Sequence, residues 1–447
     1  MKIRRFGIAG IAGALVLGLA ACSAQTPTDP TTPTQTAGGE TAEPGEVVSL
    51  TFWGKTQGQA AQVELWNSQH PEIQVTFAEQ GGDSDLLTAI QNGVKGGNAP
   101  DLTELPRTNA VSLLVEGATT DVAQWLNNDS GAFSQAAIDF VKVGDVAVGI
   151  PFAMNPTFNA VNTKTFERFA LTPPTNWPEA IEQAKIMGAE GVKSFNFPGE
   201  DLSYLRDFAT QFGAEWWTAE ADGWRVGFTS PESLEAGELV QTIIDNELAS
   251  NHTYIEWDAL MQFFASGDLS QFTTSTWQLP VYEQNFAQSV GDWMLTPYPK
   301  QTADSELVSP SYYNLYGVTS TSEHPAEAVQ FATWLATDPE AVGILADPVD
   351  GAAIFPVIAD PEPYIDQLLP NEFLGDTRGD AADVVAEAAA TARSMKEGPN
   401  QAAAFEEFAA WWGKAVVGQV KVSEALQHMQ EWTIADLKSK NINVVES

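Results

Sequence analysis

The chain has 447 residues, with 21 Lys+Arg against 59 Asp+Glu, 44% hydrophobic residues and one cysteine. The apolar content is ample for packed cores, and at ~150 residues per domain the length suits two or three folding units. A net charge of −38 excludes a binder of phosphate backbones, which needs Lys and Arg, and disfavours docking on anionic lipid through a basic patch; a single cysteine excludes an internal disulfide or a multi-thiolate metal site.

That cysteine is well placed. Lys2, Arg4 and Arg5 precede an apolar or Gly run of 14 residues, Ile8 to Ala21. This is the pattern of an export signal, too short to cross a bilayer as a helix. The run ends in Leu19-Ala20-Ala21-Cys22, which resembles a bacterial lipobox and implies cleavage before Cys22 and lipid on its thiol. Two or more acyl chains would anchor the protein stably, where one is marginal. Without Lys2, Arg4 and Arg5 the charge is near −41. Ser23 to Glu46 holds seven Thr, four Pro and three Gly, so residues 22–46 are expected to be a tether. Its 24 residues span roughly 27 Å as a coil.

Val47 to Trp53 reads as a strand, Gln57 to Gln69 as a helix stopped by Pro71, and Ile73, Val75 and Phe77 as a second strand. Leu86, Leu87, Ile90 and Val94 recur at helical spacing, and Asp101 to Leu105 reads as a short strand. This alternation predicts an α/β domain. Asn176-Trp177-Pro178-Glu179 and Ser230-Pro231-Glu232 are helix starts with an N-cap and early Pro; Pro325 opens another helix, and the last 45 residues read as helical.

Taken together these segments resemble the extracellular solute-binding proteins of sugar ABC importers, the maltose-binding type. Leu50 to Gly54 is similar to the family's first strand. Glu64 to Val75, with Asn67, His70-Pro71, Ile73 and Val75, is similar to "F-N-x-x-H-P-x-I-x-V". Gly97 to Leu102 is similar to "G-x-x-P-D-V", and Val148-Gly149-Ile150-Pro151 to "Y-G-I-P" with Val for Tyr. Pro173 to Glu179 is similar to "P-x-T-W-D-E", and Pro325 to Glu340 to the family's "P-E-A-A" helix. The resemblance implies a two-lobed periplasmic-binding-protein-like fold of type II, with a cleft between hinge-linked lobes that close on ligand. Projected on this chain, crossings fall near Ala153–Ala160, Ser311–Leu315 and Pro356–Pro361. Residues 47–154 and 314–358 would form one lobe, 155–313 and 359–447 the other.

A sugar needs flat aromatics for its C–H faces and paired donors and acceptors for its hydroxyls. Strand ends and crossings are where such groups line a cleft. Trp53 ends the first strand, Gln80 lies just past the second, and Glu104 is at a strand end. Arg107 could fork to hydroxyls or form a salt bridge. Asn155, Tyr312, Tyr313 and Asn314 lie at the crossings. Trp277 ends Phe272-Thr273-Thr274-Ser275-Thr276, where the resembling family carries a stacking Trp. Of Trp216 and Trp217 one could stack and the other pack. Asp350 and Arg378 are further candidates. Trp66, Trp177, Trp334 and Trp432 sit at helical positions and read as structural.

No phosphate-binding loop, nucleophile elbow or H-E-x-x-H pair occurs, and His70, His252, His324 and His428 are scattered. Neither catalytic residues, cofactor nor metal are expected. Arg378-Gly379-Asp380 reads as a loop turn, and the acids of Asp376 to Asp383 as a solvated face. The resemblance implies a binding protein, no enzyme, that hands its sugar to a membrane permease. A monomer is expected, anchored through the lipobox Cys22 outside the cytoplasmic membrane, and the long Thr/Pro tether and low Lys content point to a Gram-positive cell. A secreted glycoside hydrolase and a surface adhesion or scaffold lipoprotein are the competing readings.

Overall fold

The computed structural model describes residues 47–445 apart from Arg107, Asp129 and Ser130. The export signal, the tether, Cys22 and Arg107 thus lie outside the described residues. Among the described residues no helix is long and apolar enough to cross a membrane.

The strand Val48–Gly54 alternates: Val48, Leu50 and Phe52 are buried while Ser49 and Thr51 face out. It pairs in parallel with Ile73–Glu79, from Val48 opposite Ile73 to Gly54 opposite Glu79. A parallel pair needs a crossover, and the helix Gln59–Gln69 provides it. Leu102–Glu104 pairs on the other side. Two strands from later in the chain complete five: Tyr313–Val318, antiparallel to Leu102–Glu104, and Ile150–Met154 at the edge. Phe52 anchors the core beneath, its ring 5.3 Å from Phe77, 5.5 Å from Tyr316 and 5.8 Å from Phe331.

After Met154 the chain leaves this sheet through Asn155-Pro156-Thr157 and enters Phe158–Asn162, the centre of a three-stranded sheet flanked by Gln271–Thr274 and Trp293–Thr296. It returns beside its outward path. Asn155 N–H donates to Tyr312 O and Thr157 N–H to Pro310 O, both at 2.9 Å. A further short strand, Ala392–Ser394, pairs in parallel with Ser309–Ser311 along the same band. One large core runs beneath the five-stranded sheet and continues past Phe158 to Trp293 and Phe373.

A second core gathers Trp177, Trp216, Trp217, Phe228, Phe408 and Trp412 among helices. The predicted starts form: Asn176 Oδ1 accepts from Glu179 N–H at 3.1 Å, and Ser230 Oγ from Ser233 N–H at 3.2 Å. Helices Gln401–Val416 and Val422–Ser439 account for the helical C-terminal stretch. One local expectation is corrected. Arg378-Gly379-Asp380 is no loop turn but the first turn of the helix Arg378–Ala390, where Arg378 pairs with Asp366 at 2.8 Å.

Candidate ligand-binding cleft

Two cavities meet at the crossing band. One, of about 400 Å³, is walled by aromatic residues; the other, of about 480 Å³, by polar ones. Both are lined by Trp277, Val281 and Tyr312. The Trp277 indole N–H donates to the Tyr312 hydroxyl at 2.9 Å, yet Trp277 stays 37% exposed. The two rings thus form a partition between the chambers while offering apolar surface to both.

Trp277 owes its place to a strand end. Gln271–Thr274 stops, and Ser275 starts a short turn in which Gln278 Oε1 accepts the Ser275 N–H at 3.2 Å, closing a capping box. Tyr312 sits on the return crossing. The aromatic chamber is completed by helix starts. The helix Ser203–Phe212 contributes Tyr204, Arg206 and Asp207, with Asp201 just before it accepting Ser203 N–H at 2.9 Å. The turn Tyr254–Glu256 and the helix Trp257–Ala265 contribute Tyr254, Trp257, Met261 and Phe264. Glu200 fixes this turn by accepting Tyr254 N–H at 2.7 Å. Burial, then Tyr282 and Asp201, push the Tyr204 phenol well above its ordinary value, so it remains a neutral hydroxyl.

The polar chamber is lined by Lys55, Thr56, Gln57, Asp83, Asn155, Gln284 and Asn314, with Pro348 and Val349 opposite. Asn155 Nδ2–H donates to Asn314 Oδ1 at 3.2 Å, and Gln57 Nε2–H to Val349 O at 3.0 Å. The loop Lys55–Gln57 is held from behind by Glu104. Fully buried, Glu104 accepts at Oε2 from Lys55 N–H and Thr56 N–H at 3.2 Å, and from Thr56 Oγ and Gln59 Nε2 at 3.0 Å. Lys55 Nζ lies 3.1 Å from Glu104 Oε1 and 3.2 Å from Asp83 Oδ1. Burial alone would depress the Lys55 ammonium; the two carboxylates outweigh it and hold its pKa above the ordinary lysine value. A Cβ on Gly54 would sit 2.0 Å from Gln59 Oε1, so any side chain there would push the Gln59 amide off Glu104.

Of the residues chosen from sequence, Asn155, Trp277, Tyr312 and Asn314 line the cleft. Glu104 stands behind the wall and holds it. Trp53, outward on its strand, packs half-buried against the main core. Gln80 lines neither chamber and turns back to Ala78 O at 3.4 Å. Trp216 and Trp217 are corrected to core residues: both are fully buried, with indole N–H groups spent on Ser233 Oγ at 3.0 Å and Asn400 Oδ1 at 3.1 Å. Tyr313 points the other way from Tyr312 and stacks on Phe140 at 4.6 Å. Asp350 is exposed on the loop beside Val349, and Arg378 is spent on Asp366. The residues that sequence reasoning missed are the helix starts. Their signals were Tyr254 and Trp257 one turn apart, and the opposite charges Arg206-Asp207 on a helix that also buries Phe208 and Gln211.

Behind Tyr312 the segment following Ala392–Ser394 clamps two short helices. Lys396 Nζ donates to the carbonyls of Asp139, Phe140 and Lys142 at the end of Gln135–Val141. Glu397 Oε2 accepts Val111 N–H at 3.3 Å at the start of Ala110–Val115. Lys396 therefore meets the C-terminal end of one helix and Glu397 the N-terminal end of the other. Burial raises the Glu397 carboxyl to about 7, against the lowering effect of these amides and Arg206. A carboxyl raised on folding stabilises fully below its unfolded value, and that stability is lost as pH rises through the folded value. Glu397→Gln should therefore melt progressively higher relative to the parent as pH rises from about 4.5 to 7; a difference flat with pH would remove Glu397 as the titrating group.

Residues 61–367 match the family model of bacterial extracellular solute-binding proteins. No curated protein matches the sequence. Among solved structures the chain is similar to the galacto-N-biose/lacto-N-biose I-binding protein of an ABC transporter from Bifidobacterium longum, in complex with lacto-N-biose. The TM-score is 0.77 at 21% identity, covering 90% of this chain and all of the other. It is also similar to the ABC transporter associated binding protein from B. animalis subsp. lactis, in complex with β-1,6-galactobiose, at TM-score 0.73 and 16% identity over 90% of this chain and 100% of that one. The cyclic α-maltosyl-1,6-maltose binding protein from Arthrobacter globiformis scores 0.70 at 18% identity over 88% and 100%. These likenesses establish the type II periplasmic-binding-protein fold. Family and structural neighbours are binding proteins, not enzymes. With the model spanning residues 61–367, the chain belongs to the bacterial extracellular solute-binding protein family.

Proposed function

We propose that this is the substrate-binding lipoprotein of an ABC importer, which captures a carbohydrate between two lobes and delivers it to a membrane permease. The observation that carries the reading is the Trp277–Tyr312 partition, flat aromatic surface shared by a polar and an aromatic chamber. Such a wall suits alternating C–H faces and hydroxyls of a saccharide longer than one ring. The lobes would be residues 47–154 with 314–358, and 155–313 with 359–447, hinged at the paired crossings. Asn155, Tyr312, Trp277 and Asn314 would contact ligand, with Glu104 positioning the Lys55–Gln57 loop. Cys22 would carry the lipid and residues 23–46 would be the leash, on the outer face of the cytoplasmic membrane of a Gram-positive cell. The solubilised protein would be a monomer.

The test is a thermal-shift screen over neutral di- and oligosaccharides, with product analysis of each mixture. Ligand at 100 Kd should stabilise by about 2.7 kcal/mol, without turnover. Trp277→Ala should then weaken affinity by about tenfold or more, through lost stacking, with an unchanged melting temperature. Unchanged affinity would remove Trp277 from the site, and released monosaccharide would overturn the binding-protein reading.

A further inference from the structure

The charges in the cleft wall are unevenly answered. Among its described lining residues the cations are Lys55 and Arg206. Lys55 is held between Glu104 and Asp83. Arg206 lies 3.4 Å from Asp207 Oδ1, with its guanidinium 5.6 Å from the centre of the Tyr312 ring. Each of these cations is thus already opposed by a carboxylate, with which an arriving carboxylate or sulfate would have to compete. Asp201 is in the opposite position. It accepts the Ser203 N–H and meets no cation among the described residues. Tyr204, Tyr254, Trp257 and Tyr282 line the same chamber. The Tyr204 phenol feels both Asp201 and Asp207 as charges that oppose its ionisation, which marks this wall as electronegative.

Building on the carbohydrate reading, we propose that the aromatic chamber ranks saccharides by charge, with Asp201 setting the order: a ring bearing an ammonium binds above its hydroxyl counterpart, and a uronate below it. An ammonium gains a carboxylate partner in a chamber lined by aromatic residues. A hydroxyl gains one hydrogen bond. A uronate meets like charge, and each cation among the described lining residues is already opposed by a carboxylate, the arrangement by which a site rejects a close analogue. The chain's overall charge of −38 pulls in the same direction at long range. Only the local contribution survives screening, and only that contribution depends on Asp201.

The experiment uses oligosaccharides matched in length and linkage that carry glucosamine, glucose or glucuronate at one ring. They are titrated calorimetrically at pH 6.5 and 0.15 M salt against the parent and Asp201→Asn. Asparagine keeps the Ser203 cap, and equal melting curves verify the fold. The amine should bind about fivefold tighter than the hydroxyl form, and the uronate about tenfold weaker. In Asp201→Asn both ratios should collapse toward one. A uronate that binds as well as the neutral sugar, an amine that binds no better, or ratios unchanged in Asp201→Asn would each overturn the ranking. If no member of any charge binds, the carbohydrate reading itself fails.

Discussion

Glu104→Ala is expected to cost about 3–5 kcal/mol of stability, the range for removing one partner of a buried charge pair, and to abolish measurable ligand binding. The carboxylate receives both backbone amides of Lys55 and Thr56, the Thr56 hydroxyl, the Gln59 amide and the Lys55 ammonium. Each donor left unpaired in a dry site costs roughly 1–3 kcal/mol. The loop they order is a wall of the polar chamber, so stability and affinity fall together. A direct ligand contact would behave differently, losing affinity while the denaturant midpoint stayed put. Urea unfolding alongside ligand titration separates the two, and a stable variant with weakened binding would return Glu104 to the ligand-facing group.

The second large effect lies in the other core. Trp217→Ala should lose about 3–5 kcal/mol, as for deletion of a buried large aromatic. Trp217 is 1% exposed, and a Cβ on Gly398 would lie 2.2 Å from its ring, so the segment around Gly398 is moulded on the indole. Its deletion also strands Asn400 Oδ1. Denaturant melts of Trp217→Ala and Trp277→Ala should therefore give opposite results: the first unstable, the second stable and defective in binding. A Trp217→Ala protein of parental stability would contradict the packing described here.

These contrasts explain what could be read from the sequence. The strand Val48–Gly54 and the helix starts at Asn176, Ser230 and Pro325 carry their signals within a few residues, as period-two burial and as caps. Trp277, Asn155, Tyr312 and Asn314 lie at a strand end or a crossing, positions that the layout of the resembling family, rather than the local pattern, marks as a cleft. Trp216 and Trp217 could not be sorted this way. Whether an indole stacks on ligand or packs inside depends on Asn400, 183 residues away from Trp217, and on Gly398. Tyr254, Trp257 and Tyr204 were hidden for the same reason. They begin helices, and only tertiary packing turns those helix starts toward Trp277. Glu104 was found at the right place with the wrong partner, because its acceptor geometry is filled by the loop Lys55–Gln57.

The burial of the fourteen tryptophans has an optical consequence. Among the described residues, Trp257 at 39% and Trp277 at 37% are the exposed indoles, and both line the aromatic chamber. Of the other twelve, six are buried and six half-buried, so they are shielded from water wholly or in part. A solute entering the chamber should therefore change the emission of these two water-exposed indoles most, which a fluorescence titration checks. On the proposed reading of the chamber, Trp257 and Trp277 form a fluorophore pair at the ligand, readable without a label.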